Sequence, residues 1–135
     1  MSEISGVEPE IVIEIAIDCR DLEVMAKFWM SALGYLSGVA DIERYADSDT
    51  IYYALVDPKG TGRAGPKIIL QKVPEAKTVK NRLHLDLHVV DIEADSERLV
   101  RLGAHRIDQI PFSEAGAVWI RLADPEENEF CLVLK

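Results

Sequence analysis

The sequence predicts an α+β fold made of two copies of a β-α-β-β-β module, and three observations predict it. Apolar residues alternate with period two in two well-separated segments. Each segment runs on into an apolar stripe at helical spacing. Each stripe begins after an aspartate and stops at a glycine, the residues expected at a helix start and end.

In the first copy, Ile11, Ile13, Ile15 and Ile17 alternate with Val12, Glu14, Ala16 and Asp18, which reads as a strand. Asp21 follows in the capping position. Leu22, Met25, Phe28, Trp29 and Leu33 form the helical stripe, and Gly34 closes it. In the second copy, Leu83, Leu85, Leu87 and Val89 alternate with His84, Asp86 and His88. There Asp91 caps, Ile92, Leu99 and Leu102 form the stripe, and Gly103 stops it.

Setting Asp21 on Asp91 places Ile13 on Leu83, Ile15 on Leu85 and Ile17 on Leu87. Further on, Ala54–Pro58 corresponds to Arg121–Pro125, each a strand end closed by Asp-Pro. The last strands are Lys67–Val73 and Glu129–Leu134. The second strand of copy one falls somewhere within Leu36–Tyr45, and Lys59–Pro66 is a glycine-rich link without the ending of a phosphate loop. A single domain of 135 residues results: module one over Glu10–Pro74, a linker over residues 75–81, and module two over Arg82–Lys135.

Formal charge is −9, from 15 basic and 24 acidic residues, which argues against a nucleic-acid partner. No apolar stretch approaches the roughly 20 residues that span a bilayer. The N-terminus lacks the basic and apolar regions of a secretion signal, so the cytoplasm is the expected compartment. Cys19 and Cys131 are expected to be free thiols.

The stretches Asp21–Tyr35, Arg82–Asp91 and Asp124–Val133 resemble the vicinal oxygen chelate (glyoxalase/bleomycin-resistance) superfamily, in its glyoxalase-like branch. The resemblance covers nearly the whole chain. It implies that the modules form a curved, cup-shaped mixed sheet with helices outside and a ligand within. Strand alternation then assigns faces. Ile13, Ile15, Ile17, Leu83, Leu85, Leu87, Val118, Ile120 and Leu122 belong under the helices. Glu14, Ala16, Asp18, Tyr52, Ala54, His84, Asp86, His88, Trp119, Arg121, Glu129 and Cys131 belong to the cup.

The resemblance further implies metal ligands on the first and last strand of each module. Those positions fall on Glu14 and His84, on Cys131, and on Gln71 or Ile69. This set departs from the usual histidines and glutamates, so the reading is a cup without the full metal site. A divalent metal, if one binds, falls on Glu14 and His84 with Glu129 or Cys131. The ligand-binding candidates are Glu14, Tyr52, His84, Asp86, Trp119, Arg121, Glu129 and Cys131. Tyr52 and Trp119 offer flat faces for a planar or aromatic ligand, and the acidic balance suits a cationic one. The alternative is an enzyme: a metal-dependent lyase, isomerase or dioxygenase, or a metal-free acid/base catalyst using His84 with Glu14 or Asp86. By analogy with the family, the chain is expected to form a homodimer.

Overall fold

A computed structural model describes residues 9–37, 52–56 and 66–135. Module one comprises β1 (Glu14–Cys19), α1 (Leu22–Leu33), β2 (Leu36–Ser37), β3 (Tyr52–Val56) and β4 (Lys67–Lys72). Module two comprises β5 (Leu85–Val89), α2 (Ile92–Leu102), β6 (His105–Arg106), β7 (Phe112–Glu114), β8 (Ala117–Ala123) and β9 (Glu129–Leu134). The short strand β7 is an addition to the expected plan. Tyr45 and the body of the glycine-rich link lie outside the described residues.

The two modules share one topology. Strand order is β1-β4-β3-β2 in the first and β5-β9-β8-β6 in the second, with β7 pairing β8 from off that path. First and last strands run parallel in each module, and the other pairings are antiparallel. Among the described residues the curved surface is therefore built from two hydrogen-bonded sheets, one per module. β1 and β5 are their end strands.

Both helices start and stop where the repeat requires. Asp21 accepts a hydrogen bond from Val24 N at 3.1 Å, and Asp91 accepts one from Ala94 N at 3.0 Å. Gly34 ends α1 with φ 69°, a left-handed conformation that costs a Cβ-bearing residue more than glycine.

The strand faces follow the alternation, with two corrections at the strand starts. Ile120, Leu122 and Leu132 are fully buried, as are Ile68 and Leu70 of β4. Ile13 and Leu83, expected beneath the helices, are 69% and 87% exposed. The cause is the length of the partner strands: β4 begins at Lys67 opposite Glu14, and β9 begins at Glu129, one residue before the Phe130 that faces Leu85. Among the described residues, those upstream have no neighbouring strand to pack beside.

Helix α1 belongs to the cores of both modules. Phe28 and Trp29 project from it onto Phe130 of β9, with ring centroids 5.2–6.3 Å apart across the trio. Each such buried side chain contributes roughly 1.5–3 kcal/mol. Polar contacts complete the join. The Trp29 indole N–H donates to the buried Asp124 carboxylate at 3.2 Å, and Glu126 accepts from the backbone N–H groups of Arg20 and Asp21 at 2.6 and 2.7 Å. Arg98 of α2 donates to the carbonyls of Ser31 and Ala32 at the far end of α1. Cys19 and Cys131 are buried free thiols, as expected.

Candidate functional site

The sheet register of module two brings its chemistry into rows. Asp86 on β5, Cys131 on β9 and Arg121 on β8 are direct cross-strand partners and so share one face. The next row on that face runs His88, Val133, Trp119 and Phe112. His84 lies one residue before β5 and reaches Asp86, with Nε2 3.2 Å from Oδ1.

Module one carries the same rows with different side chains. Ala16 pairs Ile69, and Ile69 pairs Ala54. Since Ala16 corresponds to Asp86, its partner Ile69 corresponds to Cys131. This resolves the choice between Gln71 and Ile69, because Gln71 pairs Asp18 and Tyr52 one row further on. The row Asp86–Cys131–Arg121 thus has the counterpart Ala16–Ile69–Ala54, which holds no ionisable group.

Charges around the module-two row are unevenly satisfied. Arg121 grips Asp108 through Nε and Nη2 at 2.9 and 2.7 Å, and its backbone N–H adds a third bond at 3.0 Å. The guanidinium hydrogen bond holds the Asp108 carboxyl below its ordinary range. Phe112 stacks on Trp119, centroids 5.8 Å apart and planes 27° apart, with the Arg121 guanidinium 5.7 Å from the Phe112 ring centre. Cys131 is buried, and desolvation, followed by the adjacent Asp86 charge, pushes its thiol up to about 11.

Two candidates face the same surface but are otherwise engaged. Glu14 forms an ion pair with Lys67 at 3.0 Å. Glu129 is tied to the linker: its carboxylate accepts from Lys80 at 3.2 Å and from Asn81 N at 3.1 Å. The Asn81 amide bond, ahead of the lysines, lowers the Glu129 carboxyl from its ordinary value.

A cleft of about 570 Å³ runs between the ends of the two sheets, lined on one side by Ala16 and Asp18 and on the other by His84 and Glu129. A larger depression of about 720 Å³ lies at the start of α1, among Asp21, Lys72 and Glu126. Its Glu126 carboxylate already caps two backbone N–H groups, whereas the cleft has His84 in its wall; Asp86 lines a neighbouring depression of about 600 Å³ with His88. The cleft is the better candidate for that reason.

Residues 14–133 match a family model described as a glyoxalase-like domain. The chain belongs to this family. It is accordingly a member of the vicinal oxygen chelate superfamily, and the glyoxalase-like fold recurs in solved structures of low identity. A glyoxalase/bleomycin resistance protein from Albidiferax ferrireducens is 20% identical, with 90% of this chain and 96% of that one covered and a TM-score of 0.61. A superfamily member from Sphaerobacter thermophilus is 19% identical, covering 94% and 98%, with a TM-score of 0.66. A fosfomycin resistance protein from Listeria monocytogenes is 15% identical, covering 98% and 95%, with a TM-score of 0.66. No curated protein matches. Among the described residues no helix is long and apolar enough to cross a membrane.

The glyoxalase-like ligand positions can be tested against a divalent metal. The positions that the resemblance implies for those ligands are Glu14, His84 and Cys131, with Ile69 as the module-one counterpart of Cys131 by strand pairing. Ile69 offers no donor atom and Glu14 is paired with Lys67, so the four-position set does not fit a metal. A different group does come together. Among the described residues, the donor atoms of His84, Asp86 and Cys131 all lie within 4.8 Å of one another, and neither Glu14 nor Glu129 belongs to that group.

Alternation alone could not reveal two of these contacts. Asp108 sits in a loop and Phe112 in a three-residue strand, and neither carries a periodic signal.

Proposed function

We propose that this glyoxalase-like chain binds a planar, cationic small molecule against the cup face of module two, without the full metal set of its family. The observation that carries this reading is the pairing of charges around an aromatic wall. Arg121 is matched by Asp108 and Lys67 by Glu14. The Asp86 carboxylate stands half-exposed beside His84, and the Phe112–Trp119 stack rises one row away. A flat cation can lie along that stack and place its charge toward Asp86, in keeping with the net charge of −9. Fosfomycin resistance and bleomycin resistance in the names of structural neighbours are consistent with small-molecule recognition on this fold.

The test is a thermal-shift and calorimetric screen of planar aromatic cations beside their neutral and anionic isosteres. Cations are expected to stabilise the protein, and Trp119→Ala and Asp86→Asn are expected to abolish the effect. Failure of every planar compound to bind would overturn the reading.

A second reading, catalysis, is favoured by His84 lying 3.2 Å from Asp86, the geometry of an acid/base pair. It covers lyase, isomerase or dioxygenase chemistry on a carbonyl-bearing or vicinal-oxygen substrate. Turnover that disappears in His84→Ala while ligand affinity persists would establish it. We also infer a homodimer in the cytoplasm, for which light scattering and cell fractionation are the checks.

A further inference from the structure

We propose that the free edge of β1 takes up an extended segment of a partner protein, one that alternates apolar with charged residues and sets a basic side chain against Asp18. The site is the cleft between the two sheets. It is independent of the planar-ligand reading, which uses the aromatic stack of module two.

The hydrogen bonds of β1 leave that edge open. Val73 N donates to Cys19 O, so Cys19 turns its backbone groups toward β4. Ile17 and Ile15 alternate with it and turn the same way, which points the N–H and C=O groups of Ala16 and Asp18 away from β4. Among the described residues no strand pairs with β1 on that side. The cleft of about 570 Å³ runs along residues 15–18 of β1, whereas of β5 only Leu85 reaches it.

The edge lacks two of the usual safeguards against strand addition, a bulge and a proline. β1 pairs with β4 residue for residue, and no proline occurs over residues 11–19. Ile11, Val12 and Ile13 continue the strand with exposed β-branched side chains. An added strand would find apolar surface to cover there as well as backbone groups to bond.

The two faces of the cleft define the occupant. Toward the helices lie Ile15, Ile17 and Leu85, apolar and partly buried. Toward the cup, Asp18 is exposed and, among the described residues, carries no ion pair. Arg82 on the opposite wall is likewise exposed and unpaired. A strand laid against β1 therefore turns apolar side chains to one face, and to the other a basic group toward Asp18 and an acidic group toward Arg82. A second copy of β1 does not meet this requirement. Over residues 11–18 its only charged side chains are Glu14 and Asp18, so like charges would meet across the joint. The net charge of −9 adds to that repulsion and favours a partner with basic residues.

The experiment uses the full chain and a short fluorescein-labelled peptide that alternates valine with lysine and glutamate. Anisotropy and amide hydrogen exchange are the readouts. Saturable binding is expected, with exchange slowed at the Ala16 and Asp18 amides. N-methylation of one alternate set of peptide nitrogens should abolish binding and of the other set should spare it, because only one edge of the peptide faces β1. Asp18→Lys should weaken the lysine-bearing peptide about fivefold and favour a counterpart carrying glutamate alone. Ala16→Pro removes an N–H that no sheet bond uses, so the variant is expected to fold by circular dichroism and to lose the peptide. Trp119→Ala should leave peptide affinity unchanged, which keeps this proposal and the planar-ligand reading separately testable.

Absence of binding would overturn the proposal, as would equal effects of the two N-methylated sets or unchanged exchange at Ala16 and Asp18. A second copy is the occupant instead if those amides are protected without peptide and lose protection on dilution to a monomer by light scattering, and that result also overturns it.

Discussion

Arg121 is locked to Asp108 by a two-point ion pair, 2.7 and 2.9 Å long, that leaves a strong cation without free charge on the cup face. Such a bidentate pair fixes the guanidinium plane as well as its charge. Replacing Asp108 with Asn should therefore release Arg121. Planar anions are expected to gain affinity several-fold and planar cations to lose it, as read by calorimetry. Stability should fall by about 1 kcal/mol, because Arg121 is partly solvated. An unchanged ligand preference would refute the charge account.

Acid should loosen the same region. Asp108 and Glu129 both have folded-state pKa values below their ordinary ones. A depressed carboxyl contributes stability that is present above its unfolded pKa, about 4 for these groups, and is lost as pH falls through the folded value. The stability curve should thus decline below about pH 4. Asp108→Asn and Glu129→Gln should each make that decline shallower. Hydrogen exchange at Asn81 should quicken in the same window, since its backbone N–H donates to Glu129.

Asp124 behaves oppositely and is the more costly residue to remove. Burial raises its carboxyl, partly countered by bonds from Asn128, Glu126 and Trp29. At neutral pH the buried charge costs stability, and that cost is relieved as pH falls through the raised value. Asp124→Ala nevertheless strands four donors: Trp29 Nε1, the backbone N–H groups of Glu126 and Asn128, and the Asn128 side-chain amide. A loss of about 3 kcal/mol is expected in urea unfolding. Trp29→Phe should cost about 1–2 kcal/mol. The double variant should cost less than the sum, because one hydrogen bond is common to both changes.

The two helix-ending glycines should differ in tolerance. Gly34 has φ 69° and open space where a Cβ would stand, so Gly34→Ala should cost about 1 kcal/mol. Gly103 has φ 124°, outside the left-handed helical well, and a Cβ there would meet Pro125 Cγ at 3.3 Å. Gly103→Ala should cost about 2–3 kcal/mol. Thermal unfolding of both variants checks the ranking.

Much of this was legible in the sequence because the repeat is written in side-chain period. Asp21 and Asp91, Gly34 and Gly103, and the alternating strands all report local backbone states. Face assignments for Ile120, Leu122, Arg121 and Cys131 followed from alternation and hold in the structure. Partners across loops did not follow. Glu129 shares the cup face by parity, yet its carboxylate turns to Lys80 and Asn81 of the linker, a choice that depends on where a nonperiodic segment crosses. Asp108 carries no sequence signal for the same reason. The equivalence of Ile69 and Cys131 needed the strand pairing itself, since the glycine-rich insertion between β3 and β4 has no counterpart in module two.

The apolar row Ala16–Ile69–Ala54 is a mould from which the reactive one could be recast. Its backbone ladder matches that of Asp86–Cys131–Arg121 strand for strand. A chain that keeps its chemistry in one half carries a silent copy of the scaffold, ready to be rewritten. Ala16→Asp with Ile69→Cys would begin that rewriting, and descendants of such a duplication can acquire a second, unrelated specificity without surrendering the first.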